Sequence, residues 1–212
     1  MVPRRSFLTA LASLSGVALA RPSFTVGAEP VSDTWDLSWL DDLKGRHKQV
    51  FAVGSLRDRF PLHVVVNYLD AHREVYRLTY PDINTVVGIA RQGFPINAQD
   101  ALWAKYELGR RWEVKDPATG DWAKRNVYFD AMPAPPGKVV GVKPLQARGT
   151  IFWQCNNALG TIVRELAAEL GRPADALRAE MIAGFNPGVK LVPAHTMALG
   201  LAQEHGCTYE QL

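Results

Sequence analysis

Short apolar segments alternate with helical segments through the C-terminal third of this chain, and this alternation constrains the fold most. The predicted helices end at or near Gly171, Gly184 and Gly206, because glycine commonly terminates helices. Parallel strands need a helix-length crossover between them, so the pattern predicts an α/β fold with a parallel sheet and helices on both faces. In chain order the predicted segments are strand 150–154, helix 156–170, helix 173–183, strand 189–192, helix 193–205 and extended segment 207–209.

The preceding part of the chain has the same alternation with weaker signals. Residues 48–53 (KQVFAV) and 83–90 (INTVVGIA) are apolar, β-branched runs of strand length. Residues 62–77 show helical spacing, and Asn97 can cap a further helix over 98–111. These segments extend the predicted sheet toward the N-terminus.

Residues 112–137 interrupt the alternation and predict an inserted hairpin. Two extended runs flank the sequence PATG at 117–120, which is typical of a turn. Trp112 and Trp122 lie on these runs. They either form an exposed surface for association or pack onto the domain.

The first twenty residues have the pattern of an export signal. Arg4 and Arg5 precede a charge-free segment, 7–20, that ends in the small-residue cleavage site ALA. The segment is too short for an ordinary membrane-spanning helix. The arginine pair before Ser-Phe-Leu resembles a twin-arginine signal, although Sec signals also contain such pairs. An uncleaved anchor or a buried helix is the remaining alternative.

We therefore expect a signal peptide over 1–20, a linker with a short helical segment over 21–45, and an α/β domain over 46–212. The mature protein would be periplasmic or secreted. Removing residues 1–20 takes away two arginines and no acids, so the formal charge falls from +3 to +1. A nearly neutral domain argues against nucleic-acid binding, and no later apolar run predicts stable membrane insertion.

Known motifs for metals and organic cofactors are missing from the sequence. There is no CxxC, CxxCH or HExxH, and no glycine-rich dinucleotide or phosphate loop. The five histidines lack the spacing that places two ligands on one helix face. We expect no metal site and no cofactor.

Cys155 is the strongest candidate for chemistry because it stands between a predicted buried strand and a predicted helix. Ligand clefts form at such strand ends, and the first amides of a helix stabilise a thiolate. Asn156 and Asn157 follow directly and can bind a ligand or cap the helix. His63 and His195 are the candidates for a nearby base or ligand. The alternative is that Cys155 is a small buried residue.

The segment LQARGTIFWQCNNALGTIVREL, together with Val192-Pro193 and the Gln203–Gly206 sequence QEHG, resembles the DsrE/DsrF-like sulfur-relay family. The resemblance covers residues 145–209, is weaker over 48–110 and is missing over 112–137. It implies a DsrE-like sheet, a persulfide on Cys155, a sulfur donor or acceptor protein as partner, and assembly into a homo-oligomer.

Two functions remain open on the sequence. One is an exported protein that handles sulfur or thiols through Cys155. The other is a non-catalytic binding or assembly protein in which this cysteine is structural. If the last strand is parallel to its neighbours, Cys155 and Cys207 lie at opposite edges of the sheet and stay unbridged; an antiparallel last strand would remove that objection.

Overall fold

The computed structural model of the chain describes residues 35–56, 61–130 and 136–212. The predicted signal peptide, residues 1–20, and the first part of the predicted linker, 21–34, lie outside the described residues. Within the described ranges, no helix has the length and apolar character needed to cross a membrane.

Five strands form a single sheet, in which all neighbouring strands are parallel. They are β1 (His47–Val53), β2 (Ile83–Ile89), β3 (Ile151–Cys155), β4 (Lys190–Val192) and β5 (Thr208–Gln211). Their order across the sheet is β4-β3-β2-β1-β5. The predicted parallel α/β fold is confirmed.

Helices fill the connections between the strands. They are α1 (Leu62–Tyr76), α2 (Asp100–Lys105), α3 (Leu108–Arg111), α4 (Val142–Gln146), α5 (Asn156–Leu170), α6 (Ala174–Ala183) and α7 (His195–Glu204). Two 3-10 helices, Ser38–Asp42 and Arg91–Asn97, precede β1 and follow β2. As predicted, α5 ends at Gly171, because this glycine adopts the left-handed conformation (φ 61°).

The order of the strands places helices on both faces of the sheet. The chain steps in one direction from β1 through β4, then returns across the sheet so that β5 pairs with β1. Because parallel crossovers are right-handed, the return through α7 lies on the face opposite to α1 and α5. Helices on both faces, as predicted, follow from this reversal.

Two apolar clusters match the two faces. On one, Phe51, Val87 and Phe152 of neighbouring strands pack with α1 and α5. On the other, Val50, Val86 and Trp153 pack with α7 and with the 3-10 helix at Ser38–Asp42. Successive residues of a strand point to opposite faces, and both faces are covered, so all of β2 and the last four residues of β1 and of β3 are buried.

The 3-10 helix Ser38–Asp42 supplies much of the second face. Trp39 is 1 % exposed, and its ring lies 5.1 Å from that of Trp153. Leu40 and Leu43 are buried in the same cluster. The predicted short helical segment of the linker therefore contributes Trp39 to the core, whereas Trp35 is only half-buried.

The predicted helix over 98–111 is corrected in two respects. It is divided into α2 and α3 by Glu107, whose φ of 48° is incompatible with a continuous helix. Asn97 does not cap α2, which begins after Gln99. Asn97 is instead buried, and its Nδ2 donates to the backbone oxygen of Trp153 (3.1 Å) and to Oε1 of Gln154 (3.2 Å).

A tight antiparallel turn occupies the place of the predicted hairpin. One bridge joins Lys115 and Trp122, and residues 112–130 contain no strand. The carboxylate of Asp116 accepts from the Ala118 N–H, which holds the turn around Pro117. Trp112 is half-buried, with its ring 6.0 Å from that of Phe94, whereas Trp122 is exposed beneath the Lys115 ammonium.

An ion pair between Asp36 and Lys190 ties residue 36 to β4, with Oδ2 and Nζ 2.6 Å apart. This pair and the bonds from Ser38 lower the pKa of Asp36 from 3.8 to about 2. A depressed carboxyl pKa stabilises the fold above 3.8, and that contribution is lost as pH falls toward about 2.

We expect Asp36→Asn to lower the free energy of unfolding by less than about 1 kcal/mol at pH 7, because the pair is exposed. The difference from the parent should shrink as pH falls below 3.8 and vanish only below about pH 2. Urea titrations at pH 7, 4 and the lowest pH at which both proteins fold measure it. A difference that persists unchanged at the acid end would contradict the assignment.

Candidate functional site

Cys155 is the last residue of β3 and directly precedes α5. Its backbone has φ −70° and ψ 121°, which continues the strand and positions it as the helix cap. The register pairs it with Val192, the last residue of β4. Two neighbouring strands therefore end together, and the helices that follow them begin beside the same sulfur.

The Sγ atom of Cys155 accepts hydrogen bonds from both of those helices. The Ala158 N–H of α5 lies 3.5 Å from the sulfur, and the His195 N–H of α7 lies 3.3 Å from it. Backbone amides and the positive ends of two helices favour a negative sulfur over a neutral one. The sulfur of Cys155 is thus the acceptor for one backbone N–H from the start of each helix.

An open pocket of about 570 Å³ lies against Cys155 at the carboxyl edge of the sheet. Although the residue is only 5 % exposed, it lines this pocket. The pocket follows the general rule that ligands bind beyond the carboxyl ends of parallel strands, where the chain reverses direction across the sheet. Its other lining residues are Gly54, Ala90, Arg91, Asn157, Ala158, Thr161, Ala194, His195, Thr196, Leu199, Tyr209 and Gln211.

The imidazole of His195 is held from the sheet side by Trp153. The Trp153 Nε1–H donates to Nδ1 of His195 at 3.3 Å, and the two rings meet edge to face. Burial lowers the pKa of His195 below 6.5, and the nearby positive charge of Arg91 lowers it further. The ring is therefore neutral at neutral pH.

Gly88 makes room for the indole of Trp153. The two residues are opposite each other in β2 and β3. A Cβ atom on residue 88 would lie 2.5 Å from Cε2 and 2.8 Å from Nε1 of the indole. Only glycine allows Trp153 to lie across β2 in this way, so the ring that contacts His195 depends on a residue in the neighbouring strand.

Arg91 contributes the positive charge of the pocket. It follows β2 in a left-handed conformation (φ 46°) and is exposed. Its guanidinium has no carboxylate partner among the described residues, and the lining residues include no Asp or Glu. The described part of the pocket therefore combines a cysteine, a neutral imidazole and an arginine that has no carboxylate partner among the described residues.

Comparisons with known proteins leave the family open. No protein-family model matches the chain, and no curated protein sequence matches it. Among solved structures, it is similar to the protein of unknown function MTH1491 from Methanobacterium thermoautotrophicum, with 13 % identity and a TM-score of 0.40. That match covers 78 % of this chain and 99 % of the other. A likeness of this size bears on neither family nor function.

The structure brings together three of the five residues singled out in the sequence. Cys155, Asn157 and His195 line the same pocket. Asn156 is half-buried in the first turn of α5, and His63 lies in α1; neither is among the lining residues. Their suggested roles stay predictions.

Sequence reasoning missed Arg91, Trp153 and Gly88 as parts of the site. Arg91 had a usable signal, because it follows the predicted strand 83–90 at the edge where clefts form. Trp153 and Gly88 had none, since their roles depend on which strands are neighbours and in what register.

Cys207 has different surroundings. It precedes β5, which is parallel to β1, so it lies at the opposite edge of the sheet from Cys155. Both thiols are free, which confirms the predicted absence of a bridge. Burial raises the pKa of Cys207 to about 11, despite the nearby Lys48 ammonium. Cys207 therefore stays a thiol at neutral pH.

A second pocket, of about 620 Å³, lies at the amino ends of β2 and β3. Arg73, Lys138 and Arg148 surround Asp70 there. Nη2 of Arg148 lies 2.9 Å from Oδ1 of Asp70. Its lining contains no cysteine or histidine. Across the described ranges, no three His, Cys, Asp or Glu side chains are grouped as a metal site requires.

Proposed function

We propose that this protein carries sulfur as a persulfide on Cys155, as an exported protein of the DsrE-like type. The observation that carries the proposal is the pair of backbone N–H groups, from Ala158 and His195, that converge on one sulfur facing a pocket. The resemblance of residues 145–209 to the sulfur-relay family supports the same chemistry.

The proposed step is a transfer of sulfane sulfur without net oxidation. The Cys155 thiolate attacks the terminal sulfur of a persulfide R–S–SH and forms a new S–S bond. The donor S–S bond breaks, and its electron pair leaves with R–S⁻. That thiolate takes the proton from the transferred sulfur, which gives R–SH and a persulfide anion on Cys155. The two N–H donors favour the anionic sulfur at the start.

The contrast with Cys207 makes the test specific. Burial raises the pKa of Cys207 to about 11, so it should not compete for sulfur at neutral pH. Cys207→Ser leaves Cys155 as the one thiol of the chain, and Cys155→Ala in that background is the matched control.

We expect the folded Cys207→Ser protein to gain the mass of one sulfur atom after brief incubation with glutathione persulfide. Dithiothreitol should remove it, and the Cys155→Ala control should gain nothing. Intact-protein mass spectrometry measures the change, and circular dichroism checks the fold. Loading that requires urea would refute the proposal and favour a binding or assembly role with a structural cysteine.

A further inference from the structure

The side chains around Cys155 restrict what charge its reaction partner carries. Among the described residues that line the pocket, Arg91 is the only charged one, and it has no carboxylate partner within the described part of the chain. A guanidinium is always ionised and binds oxyanions through paired N–H donors. A guanidinium that no carboxylate of the described residues neutralises attracts an anionic group to the cysteine in the same pocket.

The tautomer of His195 also favours an anionic reaction partner. An indole N–H can only donate, so the bond from Trp153 requires an unprotonated Nδ1 on His195. In the neutral ring the proton is therefore on Nε2. This N–H has no acceptor among the described residues. His195 thus offers a hydrogen-bond donor, and its basic nitrogen is already occupied.

We propose that the sulfur compound that reacts at Cys155 is a small sulfur oxyanion, bound by the guanidinium of Arg91 and the Nε2–H of His195. Trp153 is a positioning residue, because it acts by holding the ring of His195 in one tautomer. The proposal deepens the persulfide function and rests on it for the chemical step.

Thiosulfate is the simplest compound of this class. Attack of the Cys155 thiolate on its outer sulfur breaks the S–S bond, and sulfite leaves with the electron pair. The outer sulfur remains on Cys155 as a persulfide anion. The charges and atoms balance, and neither an oxidant nor a reductant is required.

Charge selection can be measured without any sulfur transfer. In the Cys207→Ser background, rates of alkylation by iodoacetate and by iodoacetamide are compared at pH 7. The ratio of the two rates cancels changes in the amount of thiolate. Free cysteine under the same conditions gives the reference ratio.

We expect the rate with iodoacetate divided by the rate with iodoacetamide to be about five-fold higher for the protein than for free cysteine. The reason is that the positive charge of Arg91, at a partly exposed site, attracts the anionic reagent. Arg91→Gln should return the ratio to the free-cysteine value. Arg110→Gln, which removes an exposed arginine of α3 that does not line the pocket, should keep the parental ratio. Added salt should lower the ratio of the parent.

Equal ratios for Arg91→Gln and Arg110→Gln would overturn the inference, as would a parental ratio no higher than that of free cysteine. These outcomes are independent of persulfide loading. A selective pocket that fails to load sulfur would refute the proposed function alone, whereas loading without charge selection would refute the inference alone.

The role of Trp153 has its own readout. Nitrogen-15 NMR of the imidazole rings distinguishes a protonated from an unprotonated Nδ1. We expect His195 to be in the Nε2–H form in the parent, and Trp153→Phe to introduce the Nδ1–H form while the alkylation ratio falls about two-fold. An unchanged tautomer in the folded Trp153→Phe protein would show that Trp153 does not position the ring.

Discussion

Gly88→Ala is expected to lower the free energy of unfolding by about 3 kcal/mol, at the upper end of ordinary overpacking. The new Cβ would lie 2.5 Å from Cε2 and 2.8 Å from Nε1 of Trp153. The indole is fully buried and its ring lies 5.1 Å from that of Trp39, so it cannot move aside without disturbing the apolar cluster that contains both rings. Urea denaturation followed by tryptophan fluorescence measures the loss.

A matched glycine provides the control for this substitution. Gly200 lies in α7, and a Cβ there would have no neighbour within 4 Å. Because alanine is the better helix former, Gly200→Ala should raise the free energy of unfolding by about 0.5–1 kcal/mol. Equal effects of Gly88→Ala and Gly200→Ala on the free energy of unfolding would contradict the close approach of Gly88 and Trp153.

A double substitution separates the steric clash from other effects of residue 88. Trp153→Leu removes the ring that the new Cβ meets. Gly88→Ala should therefore cost less in the Trp153→Leu background than in the parent, with a coupling of about 1–2 kcal/mol. If the two losses in the free energy of unfolding simply add, the destabilisation by Gly88→Ala arises from another contact of β2 and not from Trp153.

Trp39→Ala is expected to lower the free energy of unfolding by about 3–5 kcal/mol, because it leaves a large cavity over the second face of the sheet. Trp39 is 1 % exposed and contacts Trp153, in a cluster that also contains Leu40 and Leu43. Denaturant titrations measure the change. The loss would show that residues 38–42 are part of the domain and not an ordered linker.

Two comparisons make this second prediction specific. The Nε1–H of Trp39 is buried without an acceptor among the described residues, so Trp39→Phe, which removes it, should cost only about 1 kcal/mol. Trp122 is 38 % exposed, and its main contact is the Lys115 ammonium 3.5 Å from the ring centre. Trp122→Ala should cost less than about 1 kcal/mol. A similar loss for Trp39→Ala and Trp122→Ala would contradict the burial of Trp39.

Much of the fold was predictable because its signals are local. Apolar runs of strand length, helical spacing and terminating glycines place most elements within a few residues of their positions, including the end of β3 at Cys155. The prediction over 98–111 failed where a non-local effect intervened. Asn97, a residue type that commonly caps helices, instead donates its Nδ2–H groups to the buried Trp153 carbonyl and to the side-chain oxygen Oε1 of Gln154.

The candidate site was predictable only in part. Cys155 and Asn157 belong to one strand–helix junction, so their proximity follows from the sequence. His195 comes from α7, which reaches the sulfur because β4 pairs with β3 and ends beside it. Arg91 reaches the same pocket because β2 is the other neighbour of β3.

The alternation of strands and helices, with Cys155 at the carboxyl end of a buried strand, follows from local patterns along the chain. Hydrophobic periodicity and glycine conformation are local properties, so they can be read along the chain. Which groups surround Cys155 depends instead on long-range packing. Strand order and register bring Arg91, Trp153 and His195 together, and these depend on contacts between residues far apart in sequence, for which the space left by Gly88 is the clearest case.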